Sequence, residues 1–353
     1  MLHLTPVAIR KVTNGYGSRR RTEYTPVALA DNVILDPASD QVYSVSSNEV
    51  GDLVCAGVDD YPSDLAPEWR NGREVHPVCV GSSVYFFTGF RGSQAQVYIG
   101  SLDGPRGEVT HRHVVITEGE GPNWSFNRVR VWAALGDKIL LVLEEKNAST
   151  WLFDTDTESW QEELGPDLHY SGYCSEPDRA FVIGESLYLV SRGYCRHKRD
   201  TQGNTMRVWQ CLTYSLRAGW SRLPDMALPD EDIRRINIVP ATRSVSLVFE
   251  GERGGYHRSG GKAGLGGGIW LWDMLSGECS TRLRTDFETR TCLRLRDGCY
   301  LLETYTTGGD GWDWYQLDID TSCLPEDGVP TRDSLCIKLS GTGLPLLQRL
   351  CIK

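Results

Sequence analysis

The chain has 353 residues, a formal net charge of −10, and 24% charged and 40% apolar residues, an ordinary globular composition with length enough for a large buried core. The acidic balance argues against a sequence-independent nucleic-acid binder, which needs a basic field over the phosphates. Its 37 glycines and 11 tryptophans, set against 4 methionines, point to a β-rich chain with many turns.

The first fifteen residues, MLHLTPVAIRKVTNG, hold no apolar run of signal-peptide length. Apolar stretches such as Lys138–Leu143 are too short to span a bilayer, so no membrane partner is expected. The 11 cysteines are odd in number and form no C-x-x-C pair, the pattern of free thiols in a reducing compartment. Cytoplasm or nucleus is therefore the expected location.

A short strand is expected over Leu4–Arg10, followed by the basic cluster Arg19-Arg20-Arg21, read as a solvated loop. From there one pattern recurs: a turn with Gly or Ser, then an apolar strand. Its anchors are Tyr43, Tyr85, Leu140, Tyr188, Ser246 and Tyr300. The steps between them are 42, 55, 48, 58 and 54 residues, about 51 on average, the period of a propeller blade. Most anchors are followed by a second strand of alternating character, as in Gln96–Gly100, Ser149–Asp154, Met206–Tyr214, Gly268–Asp273 and Trp312–Asp318. Three of these run through a turn into a further strand, at Asp154–Trp160, Tyr214–Pro224 and Asp273–Leu283. Each repeat thus reads as three or four antiparallel strands that bury their faces by stacking on neighbours. One helical turn is expected, at residues 230–234, and a last strand at Ser334–Ser340.

Arg179–Met226 resembles a kelch repeat, through Gly184, Leu187–Val190, Val208-Trp209, Tyr214, Trp220 and Leu223-Pro224. Val129–Leu164 is similar, ending in Phe153-Asp154 and Trp160. The glycine pair that follows the anchor strand in that family is replaced by Thr88-Gly89, Glu144-Glu145, Ser191-Arg192, Glu250-Gly251 and Glu303-Thr304. Ile269–Glu278 looks instead like a WD40 strand and turn. The resemblance implies an all-β propeller in a single domain over 1–353, closed by its terminal strands. Six blades are preferred, and seven, with a composite blade from the two ends, is the alternative. Seven tryptophans at strand positions (132, 151, 160, 209, 220, 270 and 272) are assigned to core or inter-blade packing.

Several motifs carry chemistry elsewhere and are read as structural here. Gly255–Gly264 resembles a phosphate loop, but Ala263 stands where the hydroxyl residue is required and a strand follows, so it reads as a glycine-rich insertion. His111 and His113 fall at i, i+2 of a strand, with no third metal ligand identifiable. No nucleophile elbow or H-E-x-x-H occurs. The superfamily's galactose-oxidase chemistry would need a copper site that the sequence does not indicate. No catalytic residue, cofactor or metal is therefore assigned.

In kelch-like propellers the loops after the second strand and between blades line one face and take up ligands. Here the first set is 88–95, 143–148, 191–205, 250–267 and 304–311, and the second is 118–127, 165–178 and 224–232. They contain Arg91, Trp124, Tyr170, Arg192, Tyr194, Arg196, Arg253 and Tyr256, a mix of arginines and aromatics typical of interface hot spots. The expected function is that of a monomeric protein-binding scaffold or substrate-recognition module, as in plant F-box proteins that carry such propellers. The rival is an enzyme (hydrolase, lyase or epimerase) with its site in the central channel.

Overall fold

A computed structural model of the protein describes residues 2–7, 27–30, 33–36, 41–47, 53–58, 75–88, 96–103, 108–116, 121–122, 128–144, 149–165, 179–199, 205–228, 233, 235–251, 267–280, 282–285, 287–296, 299–306, 312–319, 336–339 and 348–351. The described residues are strands, turns and short irregular segments, with no helix among them. The strands are β1 (Leu2–Val7), β2 (Val27–Ala30), β3 (Val33–Asp36), β4 (Gln41–Ser47), β5 (Leu53–Val58), β6 (Val75–Val80), β7 (Ser83–Thr88), β8 (Gln96–Asp103) and β9 (Glu108–Ile116). They continue with β10 (Arg128–Leu135), β11 (Lys138–Glu144), β12 (Ser149–Asp154), β13 (Ser159–Glu163), β14 (Arg179–Ile183), β15 (Ser186–Arg199), β16 (Thr205–Ser215) and β17 (Gly219–Met226). The last are β18 (Ile236–Pro240), β19 (Val245–Glu250), β20 (Gly268–Asp273), β21 (Leu283–Arg284), β22 (Phe287–Arg296), β23 (Cys299–Thr306), β24 (Trp312–Ile319), β25 (Cys336–Leu339) and β26 (Gln348–Cys351).

Five consecutive sets of four, β2–β5 through β18–β21, form antiparallel sheets in chain order. A sixth four-stranded sheet has the order β1-β24-β23-β22. Its outer strand comes from the start of the chain, with Leu2 opposite Ile319 and Val7 opposite Trp314. The strand expected near residue 336 pairs instead with β26 in a two-stranded hairpin, so among the described residues the two ends do not build a seventh four-stranded sheet. The chain forms two compact units, one of Met1–Thr88, Val97–Val114 and Arg290–Lys353, the other of Gly89–Gln96 and Val115–Thr289.

The recurring anchor marks the second strand of its sheet. Tyr85, Leu140, Tyr188, Ser246 and Tyr300 lie on β7, β11, β15, β19 and β23. These strands are continuous apolar runs because both faces are covered: Val84–Phe87, Ile139–Leu143 and Val245–Phe249 are buried at every position. The first anchor needs correction. Tyr43 lies on β4, the third strand of its sheet, and the second is β3, centred on Ile34. From residue 34 to residue 85 the step is 51, so the outlying step of 42 disappears.

The turns before the anchors explain their glycines. Val80 pairs with Ser83, Leu135 with Lys138 and Ile183 with Ser186 across two-residue turns. Gly81, Gly136 and Gly184 take φ of +59°, +65° and +59°, and the residue after each keeps negative φ. That is a type II′ turn, whose twist matches the flanking strands and which takes Gly first.

Within the second unit, apolar clusters join the sheets. Val131, Leu140, Val142 and Leu152 meet Leu187, Leu189, Leu212 and Tyr214, joining β10–β13 to β14–β17. Val190, Trp209, Cys211 and Met226 meet Ile236, Val248, Trp270 and Trp272, joining β14–β17 to β18–β21. The tryptophan assignment holds most fully at Trp209, Trp270 and Trp272, which are buried, whereas Trp132, Trp151, Trp160 and Trp220 are half-buried. Trp220 also donates its indole N–H to Thr150 Oγ1 across the sheet boundary, at 3.0 Å.

Candidate functional site

The two ends of these sheets are built differently. One end of the second unit is sealed by short turns. Asp154 Oδ1 accepts the N–H groups of Asp156 and Thr157 at 3.1 and 2.9 Å, Ser215 Oγ accepts that of Ala218 at 3.2 Å, and Asp273 Oδ1 accepts that of Leu275 at 2.9 Å. Four residues after each of these side chains the backbone turns left-handed, at Glu158 (φ 53°), Gly219 (φ 67°) and Gly277 (φ 78°). One turn design thus recurs in three sheets, with a short polar side chain replacing the missing ladder partners. Thr155 N donates to Asp137 O at 3.1 Å and Met274 N to Ser244 O at 2.8 Å, tying this turn to the one before the anchor strand. Lys138 Nζ lies 3.0 Å from Asp154 Oδ2. The turn amide of Thr157 first, and Lys138 second, hold the Asp154 carboxyl down at about 2.

The opposite end carries the long connections, residues 164–178, 227–235 and 251–267, and the β15–β16 hairpin. Here the buried polar side chains gather: Thr150, Ser191, Gln210, Asn237, Glu250 and Thr289. Asn237 Nδ2 donates to Thr289 O at 2.8 Å, within the second unit. Glu250, its side chain only 1% exposed, pairs with Arg282, which is also half-covered. The Arg282 guanidinium lies 5.6 Å from the centroid of the Trp270 ring. Gly268 makes room for it, since a Cβ there would stand 2.5 Å from Arg282 Nε.

Both stems of the connection 251–267 are fastened. Gly251 N donates to Arg235 O and Gly267 N to Phe287 O, each at 2.8 Å, and Thr285 N donates back to Gly267 O at 3.0 Å. A Cβ at Gly251 would meet Arg235 Cβ at 2.8 Å, and one at Gly267 would meet Phe287 O at 2.3 Å. These glycines exist for close backbone approach. Ser191 and Glu250, which follow the apolar runs of β15 and β19, are both buried, and Gly251 lies where the Arg235 backbone crosses.

Of the expected site residues, Arg91, Trp124, Tyr170, Arg253 and Tyr256 lie outside the described residues, as does most of the helical turn expected at 230–234. Arg192, Tyr194 and Arg196 are described, and their setting is a correction. They are not in a loop after the Tyr188 strand, because β15 continues to Arg199. Arg192 pairs with Trp209, Tyr194 with Arg207 and Cys195 with Met206. β14 accompanies β15 only up to Val190, opposite Arg179, and β17 reaches β16 only at Trp209, opposite Met226. Beyond those points the described ladder is the hairpin's own.

The Glu250–Arg282 pair was not foreseen. Its one sequence signal is an acidic residue ending an otherwise apolar strand. The histidines 111 and 113 do fall on a strand, β9, at the end of its sheet's order. Among the described residues no three His, Cys, Asp or Glu side chains gather as metal ligands. Burial pushes the thiols of Cys79 and Cys279 up to about 12, and that of Cys211 higher still, which disfavours their thiolates.

A four-stranded antiparallel meander recurs along the chain, and within the second unit three such sheets pack on one another through apolar clusters. The sheets have the strand order of β-propeller blades. No protein-family model matches the chain, and no curated protein matches it. Solved structures similar to it include the β-propeller domain of the Trilobed protease from Pyrococcus furiosus, at 10% identity over 82% of each chain with a TM-score of 0.37. Another is an exo-β-1,3-galactanase from Phanerochaete chrysosporium, at 11% identity over 70% of this chain and 60% of that one, TM-score 0.39. A third is an apocarotenoid oxygenase from Synechocystis, at 12% identity over 81% and 71%, TM-score 0.38.

Proposed function

We propose that this protein is a protein-interaction module, kelch-like in its blades, that holds its partner on the end carrying the long connections. The observation that supports this reading is the asymmetry of the second unit. One end consists of type II′ and polar-capped turns. The other carries the long connections over a base of buried polar groups. Binding residues concentrate on variable connections held by a rigid scaffold, and fastened stems at Gly251 and Gly267 are what such a scaffold needs. The kelch label draws on two aromatic pairs across the outer strands, Phe153 with Trp160 and Tyr214 with Trp220, whose ring centroids are 5.0 and 5.1 Å apart. In this reading the protein works in the cytoplasm or nucleus as the recognition part of a larger complex, as kelch propellers do in F-box assemblies.

The test is affinity purification with mass spectrometry, using four forms of the chain. Wild type defines the partner set. Arg192→Glu with Arg196→Glu, and separately Arg253→Glu, alter the long-connection end, while Asp156→Arg alters the sealed end. Loss of a reproducible partner from either long-end variant, with its melting temperature unchanged and the Asp156 variant unaffected, is expected. Identical partner sets in all forms would reject the reading.

A further inference from the structure

The β15–β16 hairpin outruns its sheet, and its projecting part is strongly basic. From Arg192 to Arg199, β15 contributes Arg192, Arg196, His197, Lys198 and Arg199, and β16 adds Arg207. This charge sits in a chain whose net charge is −10. The register is regular from Arg192–Trp209 to Cys195–Met206 and then breaks, resuming at Arg199–Thr205. Cys195 and Arg199 are four positions apart while their partners are adjacent, so Arg196, His197 and Lys198 have no opposite residue in β16. The ribbon therefore has two parts. The segment Arg192–Cys195 is regular strand, and on the side where β14 has ended its described ladder has no further strand. Next to it comes a bulge of three consecutive basic residues, with Arg199 just beyond.

We propose that this ribbon is a docking arm for an extended acidic segment of a partner protein, a proposal that rests on the interaction-module reading above. The segment adds as a strand beside Arg192–Cys195, about 13 Å of ladder at ordinary strand rise, and carries its carboxylates against the basic bulge. A strand edge offers alternating N–H and C=O groups that only another polypeptide backbone satisfies in series, which selects a protein segment over other polyanions. The charge points the same way. A duplex nucleic acid brings a continuous line of phosphates toward a chain of net charge −10, whereas a short run of carboxylates meets only the local basic bulge. Opposite charges on adjacent strands stand roughly 4.5–5.5 Å apart at Cβ, close enough to fix register.

The experiment titrates the purified full-length chain with a fluorescein-labelled synthetic peptide of alternating threonine and valine ending in a run of glutamates, read by fluorescence anisotropy. Four probes accompany it: the same peptide N-methylated at alternate amides, the same peptide ending in lysines, a short DNA duplex, and phosphatidylserine vesicles. Saturable binding of the acidic peptide is expected. It should weaken by at least about tenfold on N-methylation, and by as much in the variant Arg196→Gln/Lys198→Gln/Arg199→Gln. A melting curve of that variant superimposed on wild type ties the loss to the ribbon. The lysine peptide should not bind. Equal binding of the N-methylated peptide, tighter binding of DNA or vesicles, or no peptide binding at all would overturn the proposal. So would self-association of the glutamine variant without peptide binding by wild type, which would make the charges a guard of the strand edge. If these arms fail while Arg253→Glu still loses a partner in the purification, only the docking arm is rejected. If neither loses one, the interaction reading falls with it.

Discussion

Removing Arg282 should be among the most damaging single changes in the second unit. The Glu250 carboxylate beside it is 1% exposed, so the guanidinium stands in for the water that burial took away. Arg282→Met keeps the length and apolar stem of the side chain and takes away its charge. It leaves a buried carboxylate without its counter-charge, which costs about 3–5 kcal/mol, and within that the lost stacking over Trp270 accounts for ~1 kcal/mol. Glu250→Leu combined with Arg282→Met removes both charges, and should come within ~1 kcal/mol of wild type. Glu250→Leu alone leaves a guanidinium that is still 24% exposed and should cost at most ~1 kcal/mol, so the coupling energy is about 3–4 kcal/mol, well above what independent sites give. The assay is guanidinium chloride unfolding of all four forms, followed by tryptophan fluorescence. A loss below about 1 kcal/mol for Arg282→Met would mean that Glu250 is not desolvated. A double variant as unstable as the single would mean that packing, not charge, decides. Either result refutes the reasoning.

Other consequences are open to direct measurement. Gly136→Ala should cost about 1–2 kcal/mol by thermal melting, for its left-handed backbone alone, since nothing lies within 4 Å of the added Cβ. Glu158→Gly should raise stability by roughly 0.5–1 kcal/mol, because Glu158 holds φ of 53° where its counterparts in two other sheets are glycines. Asp154 has a folded-state pKa of about 2 against an ordinary 3.8, so it binds its proton less readily when folded. Its contribution is therefore complete above pH 3.8 and disappears as the pH falls through about 2, and Asp154→Asn should flatten the stability profile across that window. Trp209→Ala, deep in the cluster between β14–β17 and β18–β21, should cost about 3–5 kcal/mol in urea, and a loss under ~1 kcal/mol would contradict the packing.

The architecture was legible where burial imposes a pattern. Second strands covered on both faces read as apolar runs after a Gly turn, and Leu140 and Tyr188 were found that way. Tyr43 misled because third strands also alternate apolar and aromatic residues, while the true second strand, Val33–Asp36, is short and no glycine stands in the sequence between β2 and β3. The projecting ribbon was missed for another reason. Arg, His and Lys have little intrinsic preference for strands, and what makes 192–199 a strand is pairing with 205–209, which no local pattern reveals. The Glu250–Arg282 pair spans 32 residues and a long connection, so only the folded chain brings it together. Of the eight residues named from loop lengths, five (Arg91, Trp124, Tyr170, Arg253 and Tyr256) fall outside the described set.

The pairing of β1 with β24 has a bearing on how the molecule is made. Leu2 and Ile319 are 317 residues apart in sequence, so β1 leaves the ribosome long before β24, beside which it pairs. The second unit is nearly contiguous, Val115–Thr289, and draws on residues that are all synthesised before β23. Vectorial synthesis therefore favours folding of Val115–Thr289 before β1 finds its partner, with β1 held back as an unpaired strand until β24 emerges. That interval is when a chaperone, or a second nascent copy, would find a strand to take.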